Sequence, residues 1–227
     1  MGTGIRRSAI ACALLALGAL AAVPTAIAAE PASAESGDAA ATSSYDVQPR
    51  EGELLAAGTY ATETVSPLRI SFTVPDGWFK GNVPFAVWES TSNSNVGFHA
   101  PENLPSDPCD PGAGMLDPAI GPTAAEFAAA LRTVEGLTVS EPVDVTLSDY
   151  PGKQVDITAD PDACPELGLW DFAGIRVPGP DSGASDRLWI LDVEGTRLMI
   201  AAERSPGSPP EDLDEQRAIL DSIQIEP

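Results

Sequence analysis

The sequence predicts an α+β fold, a mainly antiparallel sheet with two principal helices, over residues 56–227. Three observations carry this. Alternating runs rich in β-branched residues fill much of the chain and are parted by Pro- and Gly-rich turns. Two segments show capping signals ahead of helical spacing. The order of elements (strands, a helix, strand hairpins, a helix) is that of an α+β sandwich.

The first strands are residues 59–65 (TYATETV) and 68–74 (LRISFTV), separated by Ser66-Pro67. Pro75-Asp76-Gly77 then supplies a turn, because Pro fixes one backbone angle and Gly permits another. Residues 85–89 and 96–99 predict short strands, and residues 100–122 a long loop crowded with Pro, Gly and Asp. Thr123-Ala124-Ala125-Glu126 reads as a capping box, followed by Phe127, Leu131 and Val134 at helical spacing and by Gly136 as a stop. Residues 143–147 and 153–159 predict a hairpin around Asp149-Tyr150-Pro151-Gly152.

The clearest element is the hairpin over residues 187–203, turning at Glu194-Gly195. Pairing outward sets Val193 opposite Thr196, Asp192 opposite Arg197, Leu191 opposite Leu198, Ile190 opposite Met199 and Trp189 opposite Ile200. An Asp192–Arg197 pair is expected at the outer end. Both faces are apolar near the middle, which predicts a central hairpin covered on both sides. Ser208-Pro209-Pro210-Glu211 reads as a second capping box, opening a helix whose buried stripe is Leu213, Leu220 and Ile223. Residues 223–226 predict a short final strand.

The N-terminus reads as an address. Arg6 and Arg7 precede a 15-residue apolar run at 9–23, Pro24 breaks it, and Ala26-Ile27-Ala28 offers small residues for signal peptidase. Residues 1–28 are therefore expected to be a secretory signal peptide cleaved after Ala28, the alternative being an uncleaved anchor. Cys12 lies before the apolar run, where a lipobox cysteine would follow it. Residues 29–55 are rich in Ala, Ser and Glu and cannot bury enough surface to offset their ordering entropy. They are expected to form a disordered linker with a reach of roughly 25–30 Å.

Composition narrows the function. The 227 residues carry 34 acidic against 12 basic side chains, a net charge of −22. Residues 1–28 hold two Arg and no acid, so a cleaved chain would carry −24. Such a surface excludes a general nucleic-acid binder. One His and three Cys exclude a zinc ribbon, a Cys/His finger and an iron–sulfur site.

Cys109 and Cys164 are the only cysteines beyond the signal, and both sit in Pro/Asp-rich loops. In an oxidising compartment they predict a structural disulfide; the alternative is a pair of free thiols. His99 is the sole His and is read as a strand-end or surface residue, since no G-x-S-x-G elbow accompanies it. Asp107, Asp110 and Asp117, with Asp156, Asp160 and Asp162, form two carboxylate clusters that a disulfide would bring together for a hard cation, but neither has EF-hand spacing. No metal site, cofactor or catalytic residue is assigned. Among the four Trp, Trp189 is expected in the core and Trp78 at one end of the sandwich. Trp170, beside Asp171, is the expected exposed binding contact.

Several strings together resemble a known group. They are PDGW (75–78), DPC (107–109), GPT (121–123), DRLWILDVEGTRLMIAA (186–202) and ILDSIQIEP (219–227). The resemblance is to a widespread, uncharacterised family of exported proteins of high-GC Gram-positive bacteria, itself similar to the PsbP/LpqN-type αβ sandwich. It covers most of residues 58–227 and implies a PsbP-like fold with an accessory or binding role. It carries no catalytic residues. The expectation is an exported, monomeric, non-enzymatic module with an unknown protein or small-molecule partner. The alternatives are an extracytoplasmic hydrolase with a loop-built site and a structural envelope protein.

Overall fold

The computed structural model describes residues 52–81, 86–89, 94–160, 162–164, 167–172, 175–181 and 183–227, without the side chains of 86, 88, 89 and 175. The expected signal peptide and nearly all of the expected linker lie outside these residues. The last part of that linker is already ordered against the domain. The Gly52 N–H donates to the Lys80 carbonyl, the Leu55 N–H to that of Trp78, and Leu55 is buried.

The main sheet has eight strands, all antiparallel. Its core is the hairpin of β11 (Ser185–Val193) and β12 (Thr196–Arg204). Its register is the one predicted, from Val193↔Thr196 to Trp189↔Ile200 and outward to Ser185↔Arg204. Glu194 and Gly195 both have positive φ, 46° and 89°, as a two-residue primed turn requires. Beyond β12 lie β5 (Asn95–His99), β4 (Ala86–Glu89) and β3 (Trp78–Lys80). On the other side, β11 pairs with β8 (Tyr150–Ala159). The outer edge of β8 is shared by β7 (Val143–Leu147) and β6 (Leu137–Val139).

The β7–β8 hairpin turns two residues earlier than the turn expected over Asp149-Tyr150-Pro151-Gly152. Ser148 and Asp149 carry the positive φ values, 50° and 67°, so Leu147 pairs with Tyr150 and Pro151 lies within the strand. Gly152 serves a different need. A Cβ there would stand 2.1 Å from the Ile190 carbonyl oxygen, so only Gly allows β8 this close to β11.

Successive residues of β11 and β12 face opposite ways, and both faces are covered. On one face lie a three-stranded sheet of β1 (Gly58–Thr62), β2 (Arg69–Val74) and β13 (Gln224–Glu226), and the helix α2 (Pro210–Asp221). Phe72 of β2 meets Phe98 of β5 there, ring centroids 5.0 Å apart. The final strand thus joins this smaller sheet rather than the main one. The other face carries α1 (Ala124–Leu131) and the hairpin of β9 (Gly168–Phe172) and β10 (Ile175–Pro178). The sequence patterns did not point to β3, β6, β9 or β10.

α1 has its capping box. Thr123 Oγ1 accepts from the Glu126 N–H, and a Glu126 carboxylate oxygen accepts from the Thr123 N–H at 3.0 Å. The helix stops at Leu131, short of Gly136. The expected box on α2 does not form. Pro209 is the N-cap and offers no side-chain acceptor, while the Ser208 hydroxyl donates to the Ser205 carbonyl. Asp192 and Arg197 stand opposite each other as expected, and Asp192 acts on Arg197 through space, but the two form no salt bridge. Asp192 accepts from the Ala124 N–H, and Arg197 donates to the carbonyls of Pro101, Glu102 and Gly121 over the Phe127 ring.

Candidate functional site

The face that α2 buries is partly polar. Asp212, Gln216, Ile219 and Ile223 point inward, while Leu213 and Leu220 are only half-buried to either side. Of the predicted stripe Leu213, Leu220 and Ile223, only Ile223 is buried, because Gln216 is held in the interior. Its Nε2 donates to the carbonyls of Asn95 (2.9 Å) and Glu203 (2.8 Å), tying α2 to two adjacent strands. Trp78 Nε1 adds a bond to Glu215 at 2.9 Å, and Ser222 Oγ accepts from the Thr73 N–H at 2.8 Å.

With α2 fixed this way, a groove of about 440 Å³ remains between it, the β7–β8 turn and the sheet. That volume is within the range of small-molecule sites, about 300–1,000 Å³. Arg187 and Trp189, two positions apart on β11, share its floor with Arg204 at the end of β12. Leu213, Arg217 and Leu220 form the helix wall. Thr146 and Ser148 stand opposite; Ser148 Oγ already accepts from the Ile225 N–H at 3.0 Å, which leaves its proton free to be donated.

The charges of the groove are unequally compensated. Arg187 is held bidentately by Asp156, its register partner on β8, at 2.6 and 3.1 Å. That bond raises its pKa above the ordinary arginine value. Arg217 lies 3.8 Å from Asp214, an exposed pair of little strength. Arg204 is the one arginine among the described residues with neither a salt bridge nor a hydrogen bond, and its Nε is buried without a partner. Burial lowers its pKa, and the neighbouring Arg187 and Arg217 lower it further, against an upward pull from Asp156. Asp221 also borders the groove. A protein of net charge −22 thus keeps a half-buried guanidinium without a direct carboxylate partner beside two others.

The residues singled out from sequence fall elsewhere. Cys109 and Cys164 stand at disulfide distance, with Cα atoms 5.6 Å apart. The loops that carry them are also joined by the Gly168 N–H donating to the Pro108 carbonyl. Trp170 is not the exposed contact expected. It is 1% exposed, because β9 turns that side of the strand onto the main sheet, where it meets His99 edge-on at 5.7 Å. Asp171, on the opposite side, is half-buried and forms an ion pair with Arg176 of β10. It borders a second cavity of about 510 Å³ with Asn103 and Met115.

His99 is a core residue, 4% exposed, and burial lowers its pKa to about 4. The two carboxylate clusters do not assemble. Asp107, Asp110 and Asp160 accept from backbone N–H groups two residues on, and Asp156 serves Arg187. Among the described residues no group of three His, Cys, Asp or Glu is placed to hold a metal ion. Trp189 is half-buried, packed against the core and lining the groove, Trp78 is buried, and the side chain of Trp88 lies outside the described residues. Arg187, Arg204 and Arg217 were not picked out from sequence. The available signal was their rarity: a basic residue in so acidic a chain is worth locating.

No family model matches the chain, and no curated protein matches it. Solved structures similar to it include the following two. One is the solution structure of cyanobacterial PsbP (CyanoP) from Synechocystis sp. PCC 6803, at 12% identity and a TM-score of 0.39, covering 79% of this chain and 99% of that one. The other is LpqN, involved in cell envelope biogenesis of Mycobacterium tuberculosis, at 13% identity and a TM-score of 0.38, covering 76% of this chain and 93% of that one. Neither likeness bears on ligand or activity. The fold of the chain is α+β, mostly antiparallel sheet with two helices.

Proposed function

We propose that this chain is an exported, non-enzymatic binding module that holds a small molecule in the groove beside α2. One observation carries the reading: the groove keeps the Arg204 side chain unpartnered, whereas carboxylates pair with six of the eight other described lysines and arginines. Export is supported by the signal-like residues 1–28 and by a cysteine pair at disulfide distance, which suits an oxidising compartment. His99, the only imidazole, is packed between Trp170 and Phe172 and is not placed to serve as a base at the surface. The Ala-, Ser- and Glu-rich stretch before the domain acts as a tether, and the role is accessory rather than catalytic.

Native mass spectrometry of the secreted chain, equilibrated with the small-molecule fraction of its own culture, tests this. The expected result is one non-covalent adduct per chain, released with unchanged mass on unfolding. Absence of any adduct would sink the reading. So would covalent labelling by a fluorophosphonate that is lost on His99→Ala.

A further inference from the structure

We infer that the groove recognises a small ligand with a phosphate or carboxylate head and a short apolar tail, Arg204 and Arg217 taking the head. This rests on the binding-module reading and names the class of its ligand.

Three features of the groove select that chemistry. First, its unsatisfied groups are donors. Arg204 has free N–H groups, Arg217 reaches only a distant carboxylate, and the Ser148 hydroxyl can give a proton. An oxyanion accepts several such bonds at once, and the planar guanidinium fork matches it bidentately. Second, Asp156 bonds Arg187 and acts on Arg204 only through space, so a head placed there supplies negative charge in contact with Arg204 and relieves the mutual repulsion of the three guanidiniums. Asp221 lines the same groove, and Asp214 lies 3.8 Å from Arg217. Third, the wall beside Arg217 carries two leucines within a lining that is otherwise mostly polar. Leu213 and Leu220 stay half-buried on α2, and Trp189 presents a half-buried indole on the floor, so a short tail has surface to cover. The volume of about 440 Å³ suits a small molecule and not a nucleic acid, which the overall charge also repels.

The test is a titration of the secreted chain with hexyl phosphate, inorganic phosphate and sodium chloride at matched ionic strength, read by tryptophan fluorescence. Trp189→Phe assigns the reporter. Both phosphates are expected to saturate, the hexyl ester at least tenfold tighter, and chloride to give no saturable signal. Arg204→Gln should weaken hexyl phosphate at least tenfold while Arg132→Gln, outside the groove, leaves it unchanged. Arg217→Gln, on an exposed side chain, gives a second reading that does not depend on folding at the Arg204 position. Equal affinity in wild type and both groove variants, or no saturation at all, overturns the inference. If the mass-spectrometric adduct persists unaltered in Arg204→Gln, the ligand class fails and the binding-module reading stands. If neither adduct nor phosphate binding is seen, both fail.

Discussion

Asp186 of β11 and Glu203 of β12 stand directly opposite each other in the register of the central hairpin, and Asp186 is 8% exposed. Like charges so placed are destabilising. Burial, then Glu203 and Asp181, push the Asp186 carboxyl up to about 8. Glu203 is also raised by burial, moderated by its 2.9 Å bond from Asn95. A carboxyl whose pKa is raised on folding favours the native state in its protonated form. That stability is present below about pH 4 and is lost as pH rises to about 8. Asp186→Asn should therefore leave stability near pH 4 little changed and raise it by a few kcal/mol at pH 8. Urea unfolding at the two pH values checks this; parallel pH profiles of variant and wild type would refute it.

His99 has the opposite linkage. Its folded pKa is lowered to about 4 by burial, below the ordinary 6.5, so the neutral ring is favoured. The stability is full above about pH 6.5 and is lost as pH falls to about 4, amounting to about 3 kcal/mol. His99→Leu should flatten that interval. Imidazole shifts followed by NMR give the pKa itself, and a value near 6.5 would contradict the packing against Trp170 and Phe172.

Cys109 and Cys164 are separated by 55 residues. Closing such a loop is worth about 4 kcal/mol in the chain-entropy model. Alkylation of the unreduced secreted chain should add no label at either residue. Cys109→Ala with Cys164→Ala should lower the unfolding free energy by up to that amount. Quantitative labelling without reduction would show free thiols instead.

Gln216 is 1% exposed and holds α2 through two carbonyls. Gln216→Leu leaves both buried acceptors short of a donor, at a cost of about 1–3 kcal/mol. The expected fall in melting temperature is about 2–4 °C per kcal/mol for a chain of this size. A variant as stable as wild type would remove Gln216 as the fastener of the groove's helical wall.

Much of the framework was legible because it depends on local chemistry. Glu194-Gly195 fixed the central register, since two positive φ values admit few residue pairs. Thr123 and Glu126 marked α1 because each completes the other's hydrogen bonds. What could not be read locally was misplaced. Pro151-Gly152 looked like a turn, but Gly152 answers to Ile190, a strand away. α2 was set on its leucines, whereas Gln216 is drawn inward by carbonyls far along the chain. Trp170 was expected outside because it follows the Cys164 loop beside Asp171, yet alternation along β9 sends it onto His99. The groove was the least visible part. Arg187, Arg204 and Arg217 come from two strands and a helix and share no spacing motif.

The most direct measurement is the calorimetric stoichiometry of hexyl phosphate on the secreted chain and on Arg204→Gln. The account predicts one ligand per wild-type chain and at least tenfold weaker binding to the variant, with its unfolding midpoint preserved. Indistinguishable isotherms for the two proteins would contradict it.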